Sequence, residues 1–171
     1  MSERAAAARH AFTEQPLRHE IAVNGLGLVA WEWPGEGDPI LLVHATGFHA
    51  RCWQAVVEAL PGRRIVAPDM PSHGQSGRKT PPYDWIHFGE DLLGVVEALG
   101  LRRVLGVGHS MGGMIGLLLA ATVPERVRRI VTMTSGVIAP SKRILLKDLA
   151  RLYASVSPTD FFRLLYQWLF S

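Results

Sequence analysis

Cysteine is almost absent from this chain of 171 residues, since Cys52 is the only one. A single cysteine excludes an internal disulfide framework and any metal cluster held by several thiolates. Cys52 lies in a segment with the apolar spacing of a helix, so we expect it to pack as a small core residue.

Charged residues are also few, at 19% of the chain, and the formal net charge is only +3. The arginines are scattered along the sequence, which gives little support to nucleic-acid binding. No apolar run is long enough to cross a bilayer, and residues 1–15 lack the apolar core of a secretory signal. We therefore expect a cytoplasmic protein without a membrane partner, in which residues 1–16 form a mobile lead-in.

The most informative segment of the chain is residues 103–123, which predicts a buried strand, a sharp turn and a buried helix. The turn has the sequence Gly108-His109-Ser110-Met111-Gly112, a G-x-S-x-G pattern. This context predicts that Ser110 lies in a strained elbow at the helix N-terminus, where backbone N–H groups favour negative charge. An oxyanion formed by attack of Ser110 on a carbonyl would then be stabilised partly by the Met111 N–H. The alternative is a tight turn with an incidental serine.

The rest of the chain predicts a hairpin followed by alternating strands and helices. Asn24-Gly25 separates two strand-like runs, residues 17–23 and 28–33, and residues 35–39 are expected to form a turn. Further strands are predicted at residues 40–43, 64–68, 104–107 and 127–132, with helices between them. This order predicts an α/β fold with a mostly parallel sheet and helices on both faces. The loops that follow the strands should meet at the carboxyl end of the sheet.

Three of these loops carry motifs that resemble those of the α/β-hydrolase superfamily. His44-Ala45-Thr46-Gly47 resembles its His-Gly oxyanion loop, and residues 69–76, with the sequence DMPSHGQS, resemble its Asp-x-x-x-His-Gly-x-Ser loop. Gly108-His109-Ser110-Met111-Gly112 resembles its nucleophile elbow. The resemblance extends from about residue 17 to residue 135.

The resemblance implies an incomplete α/β-hydrolase fold: residues 17–137 would form the first six strands of the core, and residues 138–171 the start of a helical cap. Ser110 would be the nucleophile. Ala45 replaces the family's usual glycine, so the second oxyanion donor beside Met111 is Thr46 or, alternatively, Gly47. No metal or cofactor is implied. The side chains and loop positions expected to contact a small acyl substrate are His44, Gly47, Phe48 and His109.

A triad in this family follows the order serine, acid, histidine, but no histidine follows Ser110 in this chain. We expect a serine hydrolase acting on a carboxylic ester, lactone or thioester, with the His–acid pair missing from the chain. The alternatives are a non-catalytic binding or scaffold module and a truncated fragment that is inactive without a C-terminal half. Within the hydrolase class, a carbon–carbon hydrolase or a cofactor-free haloperoxidase-like enzyme remains open. Dehalogenases and epoxide hydrolases resemble the chain but use aspartate as the nucleophile.

The predicted strand 127–132 would form an edge of the sheet. Its apolar, β-branched sequence contains none of the lysine or proline that protects exposed edges. We therefore expect the isolated chain to be marginally stable and to self-associate, through this edge or through the predicted cap helix.

Overall fold

The computed structural model of the protein describes residues 15–81 and 84–133. Residues 1–14 of the predicted lead-in (residues 1–16) and the whole of the predicted cap (residues 138–171) lie outside the described residues. Within the described part, no helix is long and apolar enough to cross a membrane.

Six strands form one sheet, and four of them are parallel to one another, as the sequence predicts. The strands are β1 Leu17–Val23, β2 Leu26–Trp33, β3 Glu36–Val43, β4 Arg63–Asp69, β5 Val104–His109 and β6 Val127–Met133. The sheet order is β1-β2-β4-β3-β5-β6, in which β2 is antiparallel to both of its neighbours and the other pairs are parallel.

The hairpin is confirmed, with Val23 opposite Leu26 across a two-residue turn. Asn24 and Gly25 have φ values of 50° and 77°. Both values are positive, as a type I′ turn requires, and this turn matches the twist of the two strands that it joins.

The turn predicted at residues 35–39 is wrong in part, because β3 begins at Glu36. The Glu36 N–H donates to the Gly62 carbonyl at 2.9 Å, and Glu36 pairs with Arg63 of β4. The register then shifts before Ile40, so the turn-forming residues lie in an irregular part of the strand. Glycine and proline are tolerated at such a bulge.

Helices cover both faces of the sheet, as predicted, but unequally. Helix α2, Trp85–Ala98, begins after Asp84, whose carboxylate accepts the Ile86 N–H at 2.9 Å. Together with α3, Met111–Thr122, it packs on one face and buries residues that include Phe88, Leu92, Val95, Val96, Ile115 and Leu119.

The opposite face carries a 3₁₀ helix, Ala50–Trp53, which continues into the short helix α1, Gln54–Glu58. Ala50 and Trp53 are buried there, but Cys52 is exposed. The prediction of a core cysteine is therefore wrong. A 3₁₀ helix has three residues per turn, so Ala50 and Trp53 share one side and Cys52 is turned away from it.

Candidate active site

Ser110 lies between the end of β5 and the start of α3, at the predicted elbow. Its backbone has φ 50° and ψ −110°. A positive φ is uncommon for any residue except glycine, and a conformation of this kind costs about 1–3 kcal/mol. The strain predicted from the G-x-S-x-G pattern is therefore present in the backbone.

The glycines on either side of Ser110 are required by close backbone packing. A Cβ atom on Gly108 would lie 2.4 Å from the carbonyl carbon and oxygen of Gly112. A Cβ atom on Gly112 would lie 2.1 Å from the carbonyl oxygen of Val43, at the end of β3. The elbow therefore packs directly against the strand that leads into the residue 44–49 loop.

The helix N-terminus supplies N–H groups next to Ser110. The Ser110 carbonyl accepts the Gly113 N–H at 3.1 Å, and its own N–H donates to the Met133 carbonyl at 2.9 Å. Met111 is the first residue of α3, where a backbone N–H has no partner within its own helix. Its side chain is buried, while that of Ser110 is partly exposed at the carboxyl end of the sheet. This N–H and the helix dipole favour an anion at the elbow.

A tight turn at residues 45–48 faces the elbow from the neighbouring strand; we call it the oxyanion turn. The Phe48 N–H donates to the Ala45 carbonyl at 3.1 Å. Gly47 has φ 80°, which is typical of the third position of a type II turn. Thr46 and Gly47, the two predicted donors, are both exposed at its tip. Their assignment to an oxyanion hole stays a prediction.

The oxyanion turn and the elbow are adjacent because β3 pairs with β5. Val43 pairs with Gly108, which brings the residues that follow each of them side by side. The Phe48 ring, 49% exposed, lies 6.5 Å from the His109 ring between centroids. These two predicted substrate-contacting residues therefore form one apolar and aromatic border of the site.

His44 does not face this border, because its side chain is fully buried. Its Nδ1 lies 2.8 Å from the Ala45 carbonyl oxygen, and its Nε2 accepts the Met70 N–H at 3.0 Å. Both ring nitrogens are thus engaged with backbone. Burial lowers the pKa of His44 to about 4, so the ring is neutral at physiological pH. We therefore assign His44 a structural role in place of the predicted contact with substrate.

Asp69 is a site residue that the sequence analysis did not single out. It is 2% exposed, and its carboxylate accepts N–H groups from Ala50, Gln75 and the indole of Trp31 at 2.7, 2.9 and 3.2 Å. Its position at the head of the Asp-x-x-x-His-Gly-x-Ser motif was the available signal. That motif includes Gln75 but gives no indication of Ala50 or Trp31, which lie 19 and 38 positions from Asp69.

Two other histidines near the carboxyl end of the sheet, His49 and His73, differ in the role of their Nδ1 atom. His49 Nδ1 accepts the Arg51 N–H at 3.3 Å, whereas His73 Nδ1 lies 2.9 Å from the Pro71 carbonyl and therefore donates. In the neutral ring, this places the lone pair of His73 on Nε2. Among residues 15–81 and 84–133, no group of three or more His, Cys, Asp or Glu residues could hold a metal ion.

Comparison with known proteins gives a consistent result. A family model described as the alpha/beta hydrolase fold matches residues 38–169. A 2-hydroxymuconate semialdehyde hydrolase from Pseudomonas putida is 40% identical over 111 residues, 62% of this chain and 40% of that protein. A 2-hydroxy-6-oxo-2,4-heptadienoate hydrolase from the same species is 39% identical over 108 residues, 58% of this chain and 38% of that protein.

Among solved structures, the haloalkane dehalogenase DatA from Agrobacterium tumefaciens has the same fold. The TM-score is 0.70 at 24% identity, over 81% of this chain and 50% of that one. The chain thus spans less than half the length of the two hydrolases and half the length of DatA.

Proposed function

Because the chain belongs to the alpha/beta hydrolase fold family, we propose that it carries the nucleophile and oxyanion hole of a serine hydrolase. The substrate would be a carboxylic ester or a related acyl compound such as a lactone or thioester. Ser110 Oγ would attack the carbonyl carbon, and its proton would pass to a base. The N–H groups of Met111 and Thr46 would stabilise the tetrahedral oxyanion.

The observation that carries the proposal is the backbone of Ser110. Ser110 has a φ of 50° and lies two positions from Gly108 and from Gly112. At either glycine, a Cβ atom would clash with backbone atoms. Strained conformations persist where the surrounding structure enforces them, and they concentrate at active sites. A serine that only ended a strand would need neither the strain nor the close approach of β3.

No residue of this chain is assigned as the base that would deprotonate Ser110. No histidine follows Ser110, and without a base its hydroxyl stays a weak nucleophile. His44 is excluded as a base because its Nε2 lone pair is already bonded to the Met70 N–H. The alternatives of a non-catalytic binding module and of an inactive fragment therefore stay open beside the hydrolase.

An activated phosphonate tests the nucleophile directly, because it adds covalently to an activated serine and its adduct mimics the tetrahedral oxyanion. We expect slow labelling of Ser110 by the 171-residue chain, detected by peptide mass spectrometry. Millimolar imidazole should accelerate the labelling by acting as the external base. The labelling rate without imidazole should rise steadily with pH, because hydroxide replaces the base.

Two controls accompany this measurement. Ser110→Ala must abolish the label, and Ser76→Ala, which alters another serine at the same end of the sheet, must leave Ser110 labelled. If Ser110 remains unlabelled with imidazole at high pH while the chain is folded, the serine hydrolase proposal fails and a binding module is favoured. A plateau of the rate near neutral pH would instead reveal a histidine base within the chain, with His73 examined first.

A carbon–carbon hydrolase is the second candidate, favoured by the two Pseudomonas putida relatives at 39% and 40% identity. The substrates in their names are an oxo-dienoate and a semialdehyde, neither of which contains an ester. Hydrolysis would then cleave a carbon–carbon bond next to a carbonyl, which again needs stabilisation of an oxyanion. Loss of the dienoate absorbance with Ser110-dependent turnover, and none with simple esters, would favour this candidate over the esterase.

A further inference from the structure

The oxyanion turn is attached at its first residue to the end of β4. The Ala45 carbonyl accepts two hydrogen bonds, one from the Phe48 N–H at 3.1 Å and one from His44 Nδ1 at 2.8 Å. His44 Nε2 in turn accepts the N–H of Met70, which directly follows β4. The imidazole thus connects the carbonyl that closes the turn to a neighbouring strand.

These contacts fix the protonation of His44. A carbonyl oxygen accepts, so Nδ1 must carry the hydrogen; a backbone N–H donates, so Nε2 must be bare. Only one neutral tautomer satisfies both bonds. The ring is fully buried, and desolvation lowers its pKa to about 4, which keeps the ring neutral at neutral pH, while the two hydrogen bonds select the tautomer.

The segment that follows the turn is attached to β4 through Asp69. One carboxylate oxygen accepts the Ala50 N–H at 2.7 Å, and the other accepts the Gln75 N–H and the Trp31 indole N–H. Space for the carboxylate exists because residue 74 is glycine, where a Cβ atom would lie 2.2 Å from the Asp69 carboxyl carbon. The oxyanion turn is therefore held on both sides by groups at the end of β4.

We propose that His44 and Asp69 are positioning residues of the oxyanion turn, and that they set the direction of the Thr46 and Gly47 N–H groups toward the oxyanion of Ser110. The direction toward an oxyanion of Ser110 rests on the proposed hydrolase function. Neither residue is placed to contact substrate, because His44 is fully buried and Asp69 is 2% exposed. Displacing such a donor by about 1 Å costs on the order of a hundredfold in rate.

Nitrogen NMR of the histidine rings tests the proposed role of His44 without any substrate. At neutral pH we expect His44 to give a ring with a protonated Nδ1 and a bare Nε2. His73 Nδ1 also donates, so two rings of this kind are expected in the wild type and in His87→Gln, and one of them should be missing from His44→Gln. His87 is exposed on α2 and gives a matched control. A protonated Nε2 on His44, or rapid exchange between its tautomers, would overturn the proposed role of this residue.

The backbone amide NMR signals of Thr46 and Gly47 test the proposed role of Asp69. Asp69→Asn replaces one acceptor oxygen by an N–H₂ group, which opposes the N–H donors around it, so both signals should shift. Should that variant not fold, Trp31→Phe decides, because it removes one donor from Asp69 and keeps an aromatic ring. Trp33→Phe makes the same change on the same strand without touching Asp69. If neither Trp31→Phe nor Trp33→Phe shifts the amide signals of Thr46 and Gly47, the proposal is refuted.

Phosphonate labelling separates this inference from the proposed function. With imidazole present, Asp69→Asn should slow the labelling of Ser110 by about tenfold to a hundredfold. Trp31→Phe should slow it less, and Trp33→Phe should not slow it. If the wild-type chain is never labelled, the hydrolase proposal fails, but the amide signals still decide whether the two residues position the turn. Normal labelling rates in Asp69→Asn would overturn the positioning role itself.

Discussion

Replacing Gly112 by alanine should destabilise the protein more than the same change at Gly116, one turn further along the elbow helix α3. The new Cβ atom would lie 2.1 and 2.5 Å from the carbonyl oxygen and carbon of Val43, and 2.8 Å from the His44 carbonyl oxygen. All three are backbone atoms of β3 or of the residue after it, so no side-chain rotation relieves the clash. Helix and strand must separate by about 1 Å for the contact to become normal.

Gly116→Ala is the matched control, because it makes the same change one turn further along α3. There the Cβ atom would meet the Ile130 Cδ1 at 2.6 Å, and the next atom of that side chain is already 3.7 Å away. A rotation of the isoleucine removes this clash. Alanine also favours the helix over glycine by about 1 kcal/mol, which offsets the remaining cost.

The expected difference is large enough to measure by thermal unfolding. Overpacking against rigid atoms costs about 3 kcal/mol, at the upper end of the usual range. For a chain of this size, about 1 kcal/mol lowers the melting temperature by about 2–4 °C, so Gly112→Ala should melt about 6–12 °C lower. Gly116→Ala should stay within about 4 °C of the wild type. Equal melting temperatures of the two variants, followed by circular dichroism, would show that the elbow does not pack against β3 as described.

Two further predictions concern acid stability and association. Burial lowers the pKa of His44 from 6.5 to about 4, so the unfolded chain binds its proton more readily in this range. The stabilisation from neutral His44 is therefore complete above pH 6.5 and lost as the pH falls through 4, in total about 3 kcal/mol. The free energy of unfolding, measured by urea titration, should fall less steeply with decreasing pH in His44→Gln than in the wild type or His87→Gln. Equal slopes against pH would contradict this. Val131 of β6 is 54% exposed, and we propose that the chain self-associates along this strand. Val131→Lys should then reduce the sedimenting mass at micromolar concentration, whereas Ile86→Lys, at the 60% exposed Ile86 of α2, should not; a monomeric wild type would refute the interface.

The features that the sequence predicted correctly are those decided by neighbouring residues. The hairpin depends on positive φ values at Asn24 and Gly25, and an Asn-Gly pair supplies them. The elbow likewise depends on Ser110 and on glycines two positions away from it. In each case the signal that the sequence offers lies within five residues of chain.

The features that it missed depend on partners that are distant in sequence. Residues 36–39 join β3 because Glu36 pairs with Arg63, an interaction across 27 positions that outweighs their turn-forming composition. Cys52 is exposed because its segment forms a 3₁₀ helix, and apolar spacing alone did not distinguish this from an α-helix. Asp69 joins Ala50, Gln75 and Trp31, which are separated from it by 19, 6 and 38 positions.

The strand order explains why these distant partners meet at the site. Because β3 lies between β4 and β5, the oxyanion turn after β3 has the elbow of Ser110 on one side and Asp69 on the other. A run of alternating strands and helices predicts parallel strands but leaves this order open. The position of Ser110 in the elbow could therefore be predicted from one local motif, whereas the contacts of His44 and Asp69 that we propose orient the oxyanion turn depend on the pairing of three strands. We infer that substitutions at the end of β4 affect the proposed chemistry at Ser110 even though that strand contributes no reacting group.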